Sequence, residues 1–136
     1  MAAGLDVKAS VLCKSKSSSG WSTAGAGYNN GTLGVGAFFT IGTGADTLFD
    51  GALVNGTRVL IAEGNVFLNG IYTVSNYSSA SGGSATFTRA TDFDSPAKIT
   101  SGAFTFVETG TLYADTGWVL KTDGAITVGT TPLEFT

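Results

Sequence analysis

The chain has 136 residues, of which 12% are charged, and its formal net charge is −3. A length of this order is typical of one domain, and the 7 lysines and arginines are too few and too dispersed for a nucleic-acid-binding surface. No run approaches the ~18 consecutive apolar residues that a membrane-spanning helix needs, so we expect neither nucleic acid nor a membrane as a partner.

The glycine and threonine content predicts an all-β fold. Glycine and threonine each occur 20 times. Threonine favours pleated, half-exposed surfaces, whereas glycine disrupts helices and permits tight turns. No segment has the 3.6-residue periodicity of an amphipathic helix. We therefore expect a compact β-sandwich or barrel-like domain of short antiparallel strands, preceded by an extended N-terminal arm.

The first part of the chain, residues 1–33, is predicted to contain one strand and the arm. Residues 5–11 alternate between apolar and polar, as a half-buried strand does. Residues 14–30 are rich in Ser, Gly, Ala and Asn and have too little apolar surface to pack a core of their own. We expect this arm to lie on a neighbouring chain, and residues 34–136 to form the β domain in one folded unit with the first strand.

From Gly34 onward, short β-type runs alternate with turn signals. Asn-Gly and Asp-Gly pairs mark several of the turns, since these residues tolerate the positive φ that tight hairpins need. The clearest hairpin joins Trp118–Lys121 to Ala125–Val128. The predicted strands are Ala37–Ile41, Arg58–Ala62, Gly70–Ser75, Ala85–Ala90, Ala103–Glu108, Trp118–Lys121, Ala125–Val128 and Leu133–Thr136. The predicted core consists of Val59, Ile61, Phe104, Phe106, Trp118, Leu120, Ile126, Val128, Leu133 and Phe135.

The sequence contains few side chains of the kinds that carry out catalysis. No histidine occurs in the chain, which removes the usual general base, the common nucleophile–base pairs and the commonest transition-metal ligand. Cys13 is the sole cysteine and lies in an apolar run, so we expect it to be a small buried residue. We therefore expect no enzymatic activity, no catalytic residue and no cofactor.

Asp92 and Asp94 are the weak candidates for a metal site. Their Asp-x-Asp spacing supplies oxygen ligands of the kind that Ca²⁺ prefers, but Asp115 or Asp123 would have to complete the site. Aspartates at this spacing are common in turns, where they accept hydrogen bonds from backbone N–H groups. We therefore interpret the pair as a structural corner, and we expect Arg89 to pair with one of these aspartates or with a neighbouring carbonyl.

Three aromatic residues in polar segments are candidates for partner binding: Trp21, Tyr28 and Tyr77. For Trp21 and Tyr28 we favour a protein–protein contact, because aromatic residues are enriched at interface centres. For Tyr77 we favour a role in anchoring its own loop to the domain. The alternative for all three is stacking on the sugar rings of a host-surface glycan.

Short segments along nearly the whole chain share the pattern of one family of small domains. They include Gly4–Val11, Tyr28–Leu33, Gly56-Thr57-Arg58-Val59-Leu60-Ile61, Asn69-Gly70-Ile71-Tyr72-Thr73-Val74, Arg89–Asp94, Gly102–Glu108, Ala114–Leu120 and Ile126–Phe135. In these segments and in their order, the chain resembles a small β-rich domain found in fibre, head-decoration and related virion proteins of tailed bacteriophages. The resemblance implies a non-enzymatic virion part that is assembled as a multimer.

We accordingly expect a structural component of a phage virion, decorating the capsid or forming part of a head fibre, tail fibre or tail attachment. A trimer in contact with other virion proteins, such as capsid or tail proteins, is the expected assembly. Many relatives carry this domain within long fibre proteins, whereas this chain stops after its final strand, which favours head decoration or a fibre base over a fibre tip. The alternative is a receptor-binding module for host attachment through a glycan.

Overall fold

The computed structural model describes residues 6–17, 21, 27–63 and 68–136. Within these residues the chain forms eight strands and two short 3₁₀ turns, Ala45–Thr47 and Ala80–Gly82. The strands are β1 (Asp6–Val7), β2 (Cys13–Lys14), β3 (Phe38–Ile41), β4 (Arg58–Ile61), β5 (Gly70–Ser78), β6 (Ser84–Arg89), β7 (Ala103–Val107) and β8 (Thr116–Val119). The predicted all-β class is confirmed. No helix in the described ranges has the length and apolar character needed to cross a bilayer.

The strands form two sheets. The large sheet has the order β2-β4-β5-β6-β3, and the small sheet has the order β1-β7-β8. Most neighbours are antiparallel, but β1 pairs parallel to β7 and β2 pairs parallel to β4. Between these two strands Val11 bridges to Val107, and the N–H of Leu12 then donates to the carbonyl of Arg58 at 2.7 Å. The N-terminal segment therefore crosses from the small sheet to the large one and joins them.

A core cluster lies on each face of the large sheet. Side chains alternate between the two faces of a strand, and β4 carries apolar residues on both. Val59 contributes to a first cluster, which loop residues such as Phe49 complete. Leu60 and Ile71 contribute to a second cluster, where they meet Val107 of the small sheet. The small sheet is thus the second layer of a sandwich.

The predicted arm differs from the observed structure in its described residues. Cys13–Lys14 is a strand of the large sheet, and Ser15 bridges to Phe49. Trp21 is buried in the first core cluster, and Tyr28 packs against it. The average composition of this segment does not predict that it docks on the domain, because a few apolar residues are sufficient for docking when the rest of the chain supplies the core. The remainder of the arm, 18–20 and 22–26, lies outside the described residues.

The predicted C-terminal hairpin is wrong in its pairing. Leu120 bridges to Phe135 rather than to a residue of 125–128, and the N–H of Lys121 donates to the carbonyl of Glu134 at 2.8 Å. Ile126 and Val128 are buried as predicted, but they reach the core from a loop. Alternating apolar residues identify which side chains are buried, and they do not select the strand partner.

Candidate functional site

Trp21, nominated by the sequence for partner contact, is part of the domain core. Its side chain is buried. Its ring meets Phe49 edge-on at a centroid distance of 5.5 Å, and its indole N–H donates to the carbonyl of Lys16 at 2.9 Å. The structure therefore gives Trp21 a packing role in place of the predicted interface role.

Tyr28 and Tyr77 are half-buried and hydrogen-bonded within the chain. The Tyr28 hydroxyl donates to Oδ1 of Asn30 at 2.6 Å and accepts from Nε of Arg89 at 2.9 Å. The Tyr77 hydroxyl donates to the carboxylate of Asp46 at 2.8 Å, which is the anchoring role predicted for it. No ring contact joins Trp21, Tyr28 and Tyr77 to one another within the described residues. They do not form a common glycan platform.

Asp92 and Asp94 pair with two different cations. Oδ1 of Asp92 lies 2.8 Å from a terminal guanidinium nitrogen of Arg58. The buried Asp94 has Oδ1 at 3.5 Å from Nζ of Lys98. In the described part of the chain, no three cysteine, aspartate or glutamate side chains converge in a way that could hold a metal ion. The two aspartates lie in the turn that follows β6, the corner that the sequence indicates.

The buried side chains of Arg89 and Cys13 both have structural roles. A terminal nitrogen of Arg89 donates to the carbonyl of Asn69 at 3.0 Å, so the predicted pairing with a neighbouring carbonyl is confirmed. The Arg89 guanidinium also lies over the ring of Tyr72 at 5.1 Å. Cys13 is buried as predicted, and burial, with a nearby aspartate charge, raises the pKa of its thiol to about 12. The thiol is therefore protonated and unreactive at neutral pH.

A buried lysine ties the two sheets together, and the sequence does not predict it. Lys14 of β2 is 1% exposed, and its ammonium forms an ion pair with Glu63. Nζ also donates to the carbonyl of Ser15 at 3.0 Å. It lies 4.1 Å from the ring centre of Tyr113 and 4.5 Å from that of Trp118. The ammonium thus exchanges water for one carboxylate, one carbonyl and two aromatic faces. We call these side chains the lysine box.

Asp50 fixes one wall of the lysine box. Its Oδ2 accepts the backbone N–H groups of Leu112 and Tyr113, each at 2.9 Å. Burial raises the pKa of the Asp50 carboxyl, but the N–H groups of Tyr113, Leu112 and Thr111 outweigh burial, and the pKa is lowered from its ordinary value. The carboxylate therefore stays ionised and holds the segment that carries the Tyr113 ring over Lys14.

The outer face of the small sheet is apolar, which corrects the core prediction for β7. Thr105 and Val107 point inward, whereas Phe104 is half-buried and Phe106 is 39% exposed. The larger side chains of this strand thus face away from the core. Periodicity groups Phe104 with Phe106 correctly, but it does not determine which face of a strand meets the core.

The pairing register adds further residues to this surface. Val7 lies opposite Phe104, which lies opposite Val119, and residues opposite each other point to the same side of a sheet. Val7 is 69% exposed. The Phe104 ring lies across Gly117, where a Cβ atom would come within 2.5 Å of a ring carbon. We call Val7, Phe104, Phe106 and Val119 the apolar face.

A second exposed apolar feature is the tip of the loop 29–36. Leu33 is 75% exposed, and Val35 is exposed beside it. Leu33 has a φ of 54°, a left-handed backbone that leucine rarely adopts. The loop is held in place because Nδ2 of Asn30 donates to the carbonyl of Val128 at 2.8 Å. We call Leu33 and Val35 the loop tip.

Comparison of the chain with protein-family models, with curated proteins and with solved structures finds no match. The surfaces described above, together with the sequence resemblance, are therefore the basis for a function. The apolar face and the loop tip leave apolar side chains exposed, and the lysine box joins the two sheets.

Proposed function

We propose that the chain is a non-enzymatic structural component of a tailed-phage virion, which assembles with copies of itself and contacts other virion proteins such as capsid or tail proteins. The observation that carries this proposal is the apolar face, where β7 directs Phe104 and Phe106 away from the core. The sequence resemblance supplies the virion setting, either as capsid decoration or as part of a fibre or tail attachment.

Covering the apolar face with another protein surface is energetically favourable. Burial of a large apolar side chain contributes about 1.5–3 kcal/mol relative to exposure, and adjacent exposed apolar residues mark interaction sites. Val7 and Phe106 supply such surface, and no charged residue lies between them on this side of the paired strands β1 and β7. An uncharged face of this kind suits another protein surface better than an ionic ligand.

A second copy of the chain is the partner that the surfaces favour. A closed ring needs a heterologous contact, in which one surface of a chain meets a different surface of the next. The described residues include two separate uncharged apolar surfaces, the apolar face and the loop tip. The anchored loop presents Leu33 in a fixed conformation, which lowers the entropic cost of docking. We propose that the loop tip of one copy docks on the apolar face of the next and that the ring closes as a trimer.

The mass of the purified chain in solution tests the assembly. Sedimentation velocity is expected to give three times the chain mass of 13.7 kDa, and Phe106→Ser is expected to yield monomers. Leu112→Ser is the matched control, because Leu112 is 64% exposed but lies outside both apolar surfaces. A monomeric wild-type chain, or equal effects of both substitutions, would contradict the assembly.

Electron microscopy of phage particles, labelled with gold-conjugated antibody against the chain, tests the virion setting. Label is expected on the capsid, on a fibre or at the tail attachment. Purified particles that carry no label and lack the chain by mass spectrometry would overturn the proposal, whatever the mass in solution.

A further inference from the structure

A hydroxyl-lined floor lies on the large sheet, on the face that the small sheet only partly covers. One row of paired residues runs from Phe38 through Thr88 and Thr73 to Arg58. The next row contains Thr40, Thr86 and Ser75. Because paired residues point to the same side of a sheet, these side chains share one face. Leu60 and Ile71, farther along the same face, are covered by the second core cluster.

Residues at the edge of the second layer border this floor on one side, and we call them its wall. Arg58 donates to Oδ1 of Asp92 at 2.8 Å and to the carbonyls of Ala9 at 3.0 Å and Ser10 at 3.3 Å. Its guanidinium is therefore fixed where the N-terminal segment passes over the large sheet. Thr91 stands beside it in the turn after β6. Arg58, Thr73, Thr88 and Thr91 are among the residues that line an open depression of about 440 Å³, within the range of small-molecule sites. Phe38 and Thr40 lie beyond this depression on the same face of the sheet.

Polar groups of the floor are available to a ligand. The hydroxyls of Thr40 and Thr86 bond to each other at 3.1 Å. The hydroxyls of Thr73 and Thr88, both half-buried, make no hydrogen bond to any described residue. A hydroxyl both donates and accepts, so this pair presents a complete set of hydrogen-bonding positions. Phe38, which is partly exposed, lies next to Thr88 at the end of the row.

We propose that this floor binds a short neutral oligosaccharide. Strands lie ~4.8 Å apart, so the row from β3 to β4 spans about 14 Å, enough for a di- or trisaccharide. The hydroxyls of Thr73 and Thr88 and the Arg58–Asp92 pair bond the sugar hydroxyls, and the Phe38 ring packs on the apolar side of a terminal sugar ring.

Charge and surface chemistry favour this ligand over others. Arg58 is neutralised by Asp92, which disfavours anions such as phosphate. An added peptide strand binds at a sheet edge, not on a face. The centres of protein–protein interfaces are more apolar than this floor. A neutral polyhydroxylated ligand matches its hydroxyls, its concave shape and its aromatic end.

The test is an amide-resolved NMR titration of the whole chain with maltotriose, cellotriose, mannotriose and triacetylchitotriose. At least one saccharide is expected to shift the amides of residues 73–75 and 86–91 while leaving those of 104–106 unchanged. The double variant Thr73→Val/Thr88→Val is expected to weaken binding about tenfold. Thr130→Val is the matched control, because Thr130 is an exposed threonine outside the depression.

Three outcomes would overturn the proposal. They are the absence of floor shifts with every saccharide, equal binding by the double variant and wild type, and floor shifts that depend on protein concentration alone. The last result would make the floor an interface between copies of the chain. Because the floor and the apolar face lie on different sheets, the double variant is expected to keep the wild-type solution mass. Loss of sugar binding and loss of assembly are therefore separate results.

Discussion

Substitution of Lys14 and Glu63 tests how the two sheets are joined. Lys14→Met retains the aliphatic chain but removes the ammonium from Tyr113 and Trp118. Glu63 is left unpaired, but its side chain is 20% exposed and reaches water. Loss of one charged hydrogen bond and of the cation–π contacts is expected to cost about 2–3 kcal/mol in free energy of unfolding. At roughly 4 °C per kcal/mol, the melting temperature should fall by about 10 °C.

The reverse substitution, Glu63→Met, is expected to cost more. It leaves the ammonium of Lys14, which is 1% exposed, without its carboxylate. An uncompensated buried charge costs about 3–5 kcal/mol. In the double variant no charge remains, and two methionines can pack against the rings of the lysine box. The double variant is therefore expected within about 1 kcal/mol of wild type.

Urea unfolding of the four proteins, followed by tryptophan fluorescence, gives the coupling energy of this cycle. Lys121→Met and Glu134→Met form the matched control, because that pair is 3.5 Å apart and more than half exposed on each side. Each control substitution is expected to change stability by less than about 1 kcal/mol. Additive losses in the Lys14/Glu63 double variant, or losses no larger than in the control pair, would refute the role given to the lysine box.

Three further predictions concern single residues. Because the pKa of Asp50 is lowered, its contribution to the stability of the folded state is complete above about pH 4 and is lost as the pH falls through that lowered pKa. Asp50→Asn should therefore lose less stability in acid than wild type does. Urea titrations of both proteins from about pH 3 to about pH 7 measure this, and parallel plots of stability against pH would contradict it. Cys13 should resist iodoacetamide in native buffer and react in urea, as followed by mass spectrometry; rapid native labelling would contradict its burial. Gly110→Ala should destabilise the protein by about 1–3 kcal/mol, because the added methyl would lie 2.6 Å from the main-chain oxygen of Asp50. Gly56→Ala is the control, since Gly56 also has a positive φ but no atom near the added methyl, and equal stability of the two variants would contradict the contact.

Local sequence patterns predict most of the strands. The predicted runs Ala37–Ile41, Arg58–Ala62 and Ala103–Glu108 contain β3, β4 and β7 within one residue at each end. In each case alternating apolar residues are bounded by turn signals, and both act over a few residues of chain. The parallel pairing of β1 with β7 and of β2 with β4 was not predicted, because each pairing depends on where a segment distant in sequence docks.

Tertiary context explains what the sequence did not predict. The outward direction of Phe106 depends on which face of β7 the large sheet covers. Trp21 is buried because Phe49, far along the chain, lies beside it. Lys14 lies in a segment with a polar composition, and its burial depends on Glu63 and Trp118 meeting it from different strands or loops. None of these contacts has a signature at short sequence separation.

Sedimentation of a mixture of two assembly variants tests the central claim most directly. Phe106→Ser alters the apolar face and retains the loop tip, whereas Leu33→Ser alters the loop tip and retains the apolar face. Each variant alone is expected to be monomeric. In an equal mixture, the intact tip of one should dock on the intact face of the other, giving a species of twice the chain mass. A mixture that remains monomeric, or a Leu33→Ser protein that still associates alone, would contradict the docking of the loop tip on the apolar face.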